Sequence, residues 1–318
     1  MQQHFHSNGK LLLTAEFLVI DGARALAVPC QYGQSMEVEE IEEPEILFES
    51  YTDEGKMWYD GVFSITEEGI SNIYGSVYGS SDEKEGERLV SERLEQILNA
   101  LLRIKRSFFQ NRGFIIKNRL DFPRDWGLGT SSTLLSNLAA WTDINPYYLS
   151  NATFGGSGYD IACATSHQPI LYQRVQADSP LIGKANFDPP FKEELFFVYL
   201  NRKQDTREVV KRYKELNPEK RTHWVNEASF LTESFVNCKD RSAFEKLIEA
   251  HESLLAKVLD LPMVKRAYFH DYPGAIKSLG AWGGDFILVT GTKEDHQYFE
   301  KKGYSTIIRY KDLVLNKQ

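Results

Sequence analysis

Cysteine is scarce in this sequence: Cys30, Cys163 and Cys238 are the whole complement of 318 residues, and no two stand in a C-x-x-C spacing. That excludes a disulfide-built scaffold and a cysteine-ligated zinc module, and it points to reduced thiols in a cytoplasmic protein. An excess of positive charge is missing too. Lys and Arg number 37 against 45 Asp and Glu, a net charge of −8, which argues against a broad nucleic-acid footprint but leaves room for a local basic pocket holding an anion. No apolar run reaches the roughly 18 residues that a membrane-spanning helix needs. Leu11–Ile20 follows Lys10 in the manner of a secretory leader, but Glu16 interrupts it and Asp21 ends it, so a soluble protein with no membrane partner is expected. What is present is ordinary: 42% apolar and 26% charged residues, enough over this length to bury a core without disulfides or metals.

Hydrophobic patterning organises the chain. Lys10–Ile20 and Arg24–Cys30 flank Asp21-Gly22-Ala23 and read as a hairpin, followed by strands at Met36–Glu49 and Lys56–Thr66. Gly75–Gly86 reads as a solvated loop. Leu94, Ile97, Leu98, Leu101 and Leu102 then recur at helical spacing, which predicts a helix over Glu87–Phe109. Gly113–Asn118 reads as a strand, Gly127–Thr133 opens a helix running through Trp141, and Ser157–Ser166 begins another. Glu194–Leu200 is strand-like, and helical patterns follow at Thr206–Leu216, His223–Val236, Ala243–Leu259 and Val264–Lys277, the last kinked by Pro273. Phe286–Thr290 (strand), Glu294–Lys301 (helix) and Ser305–Tyr310 (strand) complete an α+β order, not an alternating βαβ one. Polar and turn residues collect at Arg174–Lys184, which marks a boundary.

Four segments carry candidate chemistry. In Gly127-Leu128-Gly129-Thr130-Ser131-Ser132-Thr133 the glycines let the backbone approach a ligand, and a hydroxyl run stands at a helix start, where unpaired N–H groups favour an anion. A plain helix cap is the alternative; a Walker A loop is excluded because no Lys precedes the hydroxyls. Asp160, after Gly155-Gly156-Ser157-Gly158-Tyr159, is placed either to orient a hydroxyl and take its proton or to complement a helix dipole. Gly280-Ala281-Trp282-Gly283-Gly284-Asp285 is either a backbone wall beside a ligand or a tight turn into a strand. Lys10 is either a phosphate partner or a solvated charge. Bland readings come first elsewhere: His4 and His6 as surface residues, and Arg103, Lys105, Arg106 and Arg112 as cations at a helix end, with a substrate-phosphate contact as the rarer alternative.

Read in order, these segments resemble the GHMP kinase superfamily of galactokinase, homoserine kinase, mevalonate kinase and phosphomevalonate kinase. Gly9-Lys10 through Glu16 to Gly22 and Ala25-Leu26-Ala27 is similar to the family's opening motif. Pro123 with Gly127-Leu128-Gly129-Thr130-Ser131-Ser132 resembles its Pro-x-x-x-Gly-Leu-Gly-Ser-Ser-Ala signature, and Lys277–Asp285 its late glycine-rich motif. Gly156-Ser157-Gly158-Tyr159-Asp160-Ile161-Ala162 looks most like the corresponding string of phosphomevalonate kinases, and Gly-Tyr-Asp-Ile-Ala like that of a bacterial subgroup. Departures are Asn8 and Ala15 in the opening motif, Trp282 in place of a small residue, and the lack of the glutamate that mevalonate kinases use as a second Mg²⁺ ligand.

The resemblance implies a two-lobed α+β fold: an ATP-binding lobe over 1–178, like ribosomal protein S5, and a ferredoxin-like lobe over 179–318. It implies an ATP- and Mg²⁺-dependent kinase acting on a hydroxyl or phosphate of a small anionic metabolite, such as mevalonate or phosphomevalonate, as a monomer or homodimer. By position, Gly127, Leu128, Gly129, Thr130, Ser131 and Ser132 would hold the triphosphate, with Ser131 on Mg²⁺. Asp160 and Lys10 would be catalytic, and Glu16, Gly158, Gly280, Gly283 and Gly284 would border the substrate. Two other readings share the resemblance: a diphosphomevalonate-decarboxylase-like lyase, and a homologue that binds a ligand without catalysis.

Overall fold

The computed structural model describes residues 2–79, 83–202, 213–280 and 284–317. The chain divides into two compact units, each drawing on several stretches. One comprises Met1–Gly9, Tyr32–Arg124 and Gly129–Thr165; the other comprises Lys10–Gln31, Asp125–Leu128 and Ser166–Gln318. Two of the motif segments therefore change unit within themselves, β1 (Gln3–Leu12) between Gly9 and Lys10 and the glycine loop between Leu128 and Gly129, and β2 (Ala25–Ile41) changes unit between Gln31 and Tyr32.

In the first unit β3 (Glu45–Tyr51), β4 (Met57–Ile65), β5 (Ile70–Val77) and β6 (Gly113–Leu120) join the later part of β2 in the order β5-β4-β3-β6-β2. Neighbours are antiparallel except for β3 and β6. Alternation puts Ile46 and Phe48, Tyr59 and Phe63, and Phe114 and Ile116 into the core. There they meet Leu94, Ile97, Leu98 and Leu101 of α1 (Glu83–Ile104) and Leu135, Leu138 and Trp141 of α2 (Thr130–Thr142). Trp141 packs edge-on to Phe108, Phe109 and Phe114, giving α2 a rigid footing. α3 (Pro146–Thr153) follows, its start fixed by Pro146 and by the Asn145 side chain accepting from Tyr147 N at 2.9 Å. α4 is Tyr159–Ala164.

In the second unit the early part of β2 pairs with β7 (Ile170–Gln173), which pairs with the exposed β8 (Leu181–Lys184). A separate sheet has the order β10-β11-β9-β12, from β9 (Leu195–Tyr199), β10 (Ile276–Ser278), β11 (Phe286–Thr290) and β12 (Ile307–Arg309). β9 and β11 are buried at every residue, which is why they read as unbroken apolar runs. α5 (Pro218–Asn237), α6 (Arg241–Leu259), α7 (Val264–Tyr268), α8 (His296–Lys301) and α9 (Tyr310–Leu313) complete the unit. Among the described residues no helix is long and apolar enough to cross a membrane, and all three cysteines are free thiols.

Several expectations are corrected. β1 begins at Gln3 and stops at Leu12, and Leu18–Asp21 is a 3-10 turn, so Lys10–Ile20 is not one strand of a hairpin. Met36–Glu49 is two strands, broken at Glu42–Pro44, and β5 runs through Gly75 to Val77. The helix expected over Val264–Lys277 ends at Tyr268. Pro273 and Gly274 follow, Ala275 N donates to Thr290 Oγ1, and Ile276–Ser278 joins the sheet beside β11. The helix expected at Thr206–Leu216 lies mostly outside the described residues.

Candidate functional site

The glycine loop enters α2 through Gly129, whose φ of 98° is left-handed. Beyond it two hydroxyls serve the fold: Ser132 Oγ donates to Gly129 O at 2.8 Å, and buried Thr133 Oγ1 donates to Gln34 Oε1 at 2.6 Å. One turn further, Asn137 Nδ2 donates to Gln34 O at 2.9 Å and accepts, through Oδ1, from Ser7 Oγ at 2.7 Å. These satisfied buried bonds fix the start of α2 against β1 and β2. Thr130 stays half-buried and Ser131 exposed, beside backbone N–H groups that have no intrahelical acceptor. Asp160 occupies the first turn of α4, half-buried, after Gly158 at φ 84°. α2 and α4 pack against each other in the first unit, so Thr130, Ser131 and Asp160 all stand in the opening turns of two touching helices.

In the second unit Lys10 is half-buried and grips the other half of the loop: its Nζ donates to Gly127 O at 2.8 Å and its backbone N to Leu128 O at 2.9 Å. Gly127 has φ 67°, and a Cβ there would collide with the Asp285 carboxylate, so the residue is glycine for a close approach as well as for its torsion. Tyr199 OH lies 3.0 Å from both the carbonyl oxygen and Oδ2 of Asp125, and burial followed by that bond raises its pKa. Trp126 stands edge-on to Phe286 at 5.5 Å. Gly280 turns at φ 60° and Gly284 is buried. Gly283 and Trp282 lie outside the described residues.

Glu16 is only 2% exposed. Its Oε1 accepts from Lys277 Nζ at 2.7 Å. Lys277, 0% exposed, reaches Glu252 Oε1 at 3.4 Å and also donates to Ser278 O at 2.9 Å. Glu252 accepts in turn from Ser278 N at 3.1 Å and Ser278 Oγ at 2.8 Å. Next to Glu16, Ala15 N donates to His251 Nε2 at 2.8 Å, which puts the imidazole proton on Nδ1. Burial raises the Glu16 pKa against the pull of Lys277, pushes Glu252 up to about 7, and holds His251 well below the imidazole range. Ala15 and Phe17, on either side of Glu16, both have left-handed φ, 63° and 65°. Such a conformation costs about 1–2 kcal/mol for a side-chain-bearing residue and persists only where the surroundings impose it. Glu252 and His251 were not singled out from sequence, and Lys277 entered only as the first residue of the late glycine-rich motif, with no role; the signal available was a Lys-Ser pair between Ile276 and Leu279.

Among the described residues no three His, Cys, Asp or Glu side chains are grouped to hold a metal. A Mg²⁺ bound through nucleotide phosphates needs only one or two protein oxygens; exposed Ser131 and half-buried Asp160 fit that donor set. Three of the four cations in the basic cluster are bonded within the fold: Lys105 Nζ donates to Thr142 O at 2.5 Å, Arg112 pairs with Glu40 at 3.2 Å, and Arg106 bonds Glu67 O. Arg106 also borders a groove of about 940 Å³ with Glu42 and Glu67, which holds none of the sequence-predicted site residues.

No protein-family model matches the chain, and no curated protein matches it. Solved structures do. The chain is similar to Methanococcus jannaschii mevalonate kinase at 17% identity and TM-score 0.67, covering 97% of each chain. It is similar to Streptococcus pneumoniae phosphomevalonate kinase, solved with phosphomevalonate and AMPPNP, at 15% identity and TM-score 0.65 over 98% of each chain. It is also similar to Lactococcus lactis galactokinase, solved with galactose, at 12% identity and TM-score 0.66 over 99% of this chain and 93% of that one. The fold of this chain is theirs, the GHMP kinase fold.

Proposed function

We propose that this chain, which has the GHMP kinase fold, transfers the terminal phosphoryl group of ATP to a hydroxyl or phosphate of a small anionic metabolite of the mevalonate or phosphomevalonate kind. The observation that carries the reading is the pairing of two helix starts in one unit: the hydroxyl-bearing first turn of α2 and the Asp160-bearing first turn of α4. Phosphoryl transfer asks little covalent chemistry of a protein; it asks for in-line positioning and charge neutralisation. Gly127, Leu128, Gly129, Thr130 and Ser132 would offer backbone amides to the phosphates. Ser131 would hold Mg²⁺, which supplies charge neutralisation on the phosphate oxygens. Asp160 would orient the acceptor and take its proton, and Lys10 would offset charge at the transferred group. Gly158, Gly280, Gly283 and Gly284 would border the acceptor. Glu16, buried and bonded to Lys277, would act through the segment it holds rather than by touching the acceptor. The reading describes a cytoplasmic enzyme, monomeric or homodimeric.

The test is ADP release from ATP and Mg²⁺ in the presence of mevalonate, phosphomevalonate, homoserine or sugars, with carbon dioxide followed in parallel. One acceptor should stimulate ADP formation without carbon dioxide, and Asp160→Asn should lower that rate about a hundredfold or more. An Asp160→Asn protein with the full rate would overturn the assignment.

A further inference from the structure

We propose that Lys277 is a positioning residue for the candidate site, and that its buried ammonium sets where Lys10 and the Gly280 turn stand. The inference rests on the kinase reading and adds to it a residue that touches neither nucleotide nor acceptor. Its basis is a closed circuit of contacts inside one unit. Lys10 is bonded to Gly127 through Nζ, and to Leu128 through its backbone. Gly127 abuts the Asp285 carboxylate, and a Cβ added at Gly280 would stand 3.8 Å from Asp285 Oδ2, so the same carboxylate lies beside both turns. Gly280 follows Ser278 and Lys277 by one turn of chain, and Lys277 binds Glu16. From Glu16 the chain returns to Lys10 through Thr14, whose Oγ1 accepts from Leu26 N at 2.8 Å and lies 2.7 Å from Thr232 Oγ1.

Two features argue against a merely space-filling ion pair. Glu16 sits between two left-handed residues, Ala15 and Phe17, a conformation that surrounding bonds must impose. The bonds that do so converge on that segment: Lys277 on the Glu16 carboxylate and His251 on the Ala15 amide. A buried ion pair is also weak as a stabilising device when compared with apolar residues of the same volume, so its presence between two glycine-rich motifs calls for a reason beyond stability. Orientation is that reason: an ammonium shared by Glu16 and Glu252 ties the segment after β1 to the strand that enters the Gly280 turn.

The experiment compares binding of a non-hydrolysable ATP analogue with Mg²⁺, by calorimetry, in the wild type, Lys277→Met/Glu16→Gln and Glu16→Ala. The double variant removes the cation together with one anion, so no lone charge is left beside Glu252 that protonation cannot relieve. Glu16→Ala cuts the tether while leaving Lys277 paired with Glu252, and serves if the double variant does not fold. Thermal unfolding gives the stability of each. A positioning role predicts analogue affinity weakened about tenfold or more in whichever variants fold, together with faster acetylation of Lys10 by acetic anhydride, because its amine is no longer held on Gly127 O. Folded variants with affinity within about twofold of wild type and unchanged Lys10 labelling would overturn the inference and leave the kinase reading standing. Absence of analogue binding in the wild type would overturn the reading and the inference together.

Discussion

The second unit holds two lysines in opposite surroundings. Lys10, at the end of β1, is half-buried, and its ammonium rests on the carbonyl of Gly127. Lys277, in β10, is fully buried between two carboxylates. The first is partly open to solvent beside the glycine loop; the second is closed off from solvent by its partners. Under the proposed reading the first bears on binding and rate, and the second on the geometry of what surrounds it. The comparison breaks if the two respond alike to removal of their charge.

The largest effect belongs to the enclosed lysine. Lys277→Met alone leaves Glu16 and Glu252 buried without their cation, and breaking a buried pair on one side costs about 3–5 kcal/mol. Denaturant unfolding should show a loss of that order, whereas Lys10→Met should stay within about 1 kcal/mol, because a half-exposed ammonium is readily replaced by solvent at the carbonyl. The turnover of Lys10→Met should fall instead, by about a hundredfold or more if the amine offsets charge on the transferred group. Equal stability losses in the two variants would end the distinction.

Much of this was legible in the sequence, and the failures share one cause. Leu94, Ile97, Leu98 and Leu101 announced α1 because a helix repeats its contacts locally. The unbroken runs of β9 and β11 announced buried strands. What could not be read was decided by partners far along the chain. Ser7 is polar yet buried in β1 because Asn137 accepts its hydroxyl proton. Lys277 finds its partners 25 and 261 residues away, so a lysine in an apolar stretch gave no hint of which carboxylates would meet it. Ile276 and Lys277 read as the end of a helix, yet Ile276–Ser278 pairs with β11 as a strand. The candidate loop was visible because glycine and hydroxyl spacing is itself local. That Ser132 and Thr133 would turn inward while Ser131 stayed exposed was not visible.

The pH dependence of stability sharpens the same contrast. Glu252 has its pKa raised to about 7 in the fold, from 4.5 unfolded, so the folded state holds the extra proton. Its contribution is fully present below pH 4.5 and is lost as pH rises toward 7. Glu16, also raised, acts in the same direction; His251, held neutral, acts in the opposite one as pH falls below 6.5. Denaturant unfolding of wild type and Glu252→Gln at several pH values isolates the first term. The difference between the two proteins should change by up to about 1.4 kcal/mol per pH unit inside that window and level off above it. Lys10→Met should leave the profile unaltered.

Gly127→Ala probes the link between the loop and Asp285. The added Cβ meets the carboxylate and takes up a left-handed torsion, a cost of about 1–2 kcal/mol for the torsion alone. Gly127→Ala/Asp285→Ala removes the collision but not the torsion. Recovery of part of the lost stability, read as a coupling energy in a double-mutant cycle, is expected; strict additivity would show that the two residues do not press on each other.

The smallest effects separate the neighbouring serines at the start of α2. Ser131 is exposed, so Ser131→Ala should leave stability within about 0.5 kcal/mol, as surface changes usually do. Ser132 donates to Gly129 O at 2.8 Å and is buried, so Ser132→Ala should cost about 0.5–1.5 kcal/mol, the net worth of one internal hydrogen bond. Metal-dependent nucleotide affinity should follow the opposite order, falling with Ser131→Ala and holding with Ser132→Ala, because the backbone amide of residue 132 survives the substitution while the hydroxyl of residue 131 does not. Titrating each variant with the ATP analogue, with and without Mg²⁺, reads this directly. A Ser132→Ala protein that loses the metal dependence while Ser131→Ala keeps it would move the proposed ligand one residue along the helix, to a side chain that the fold has already turned inward.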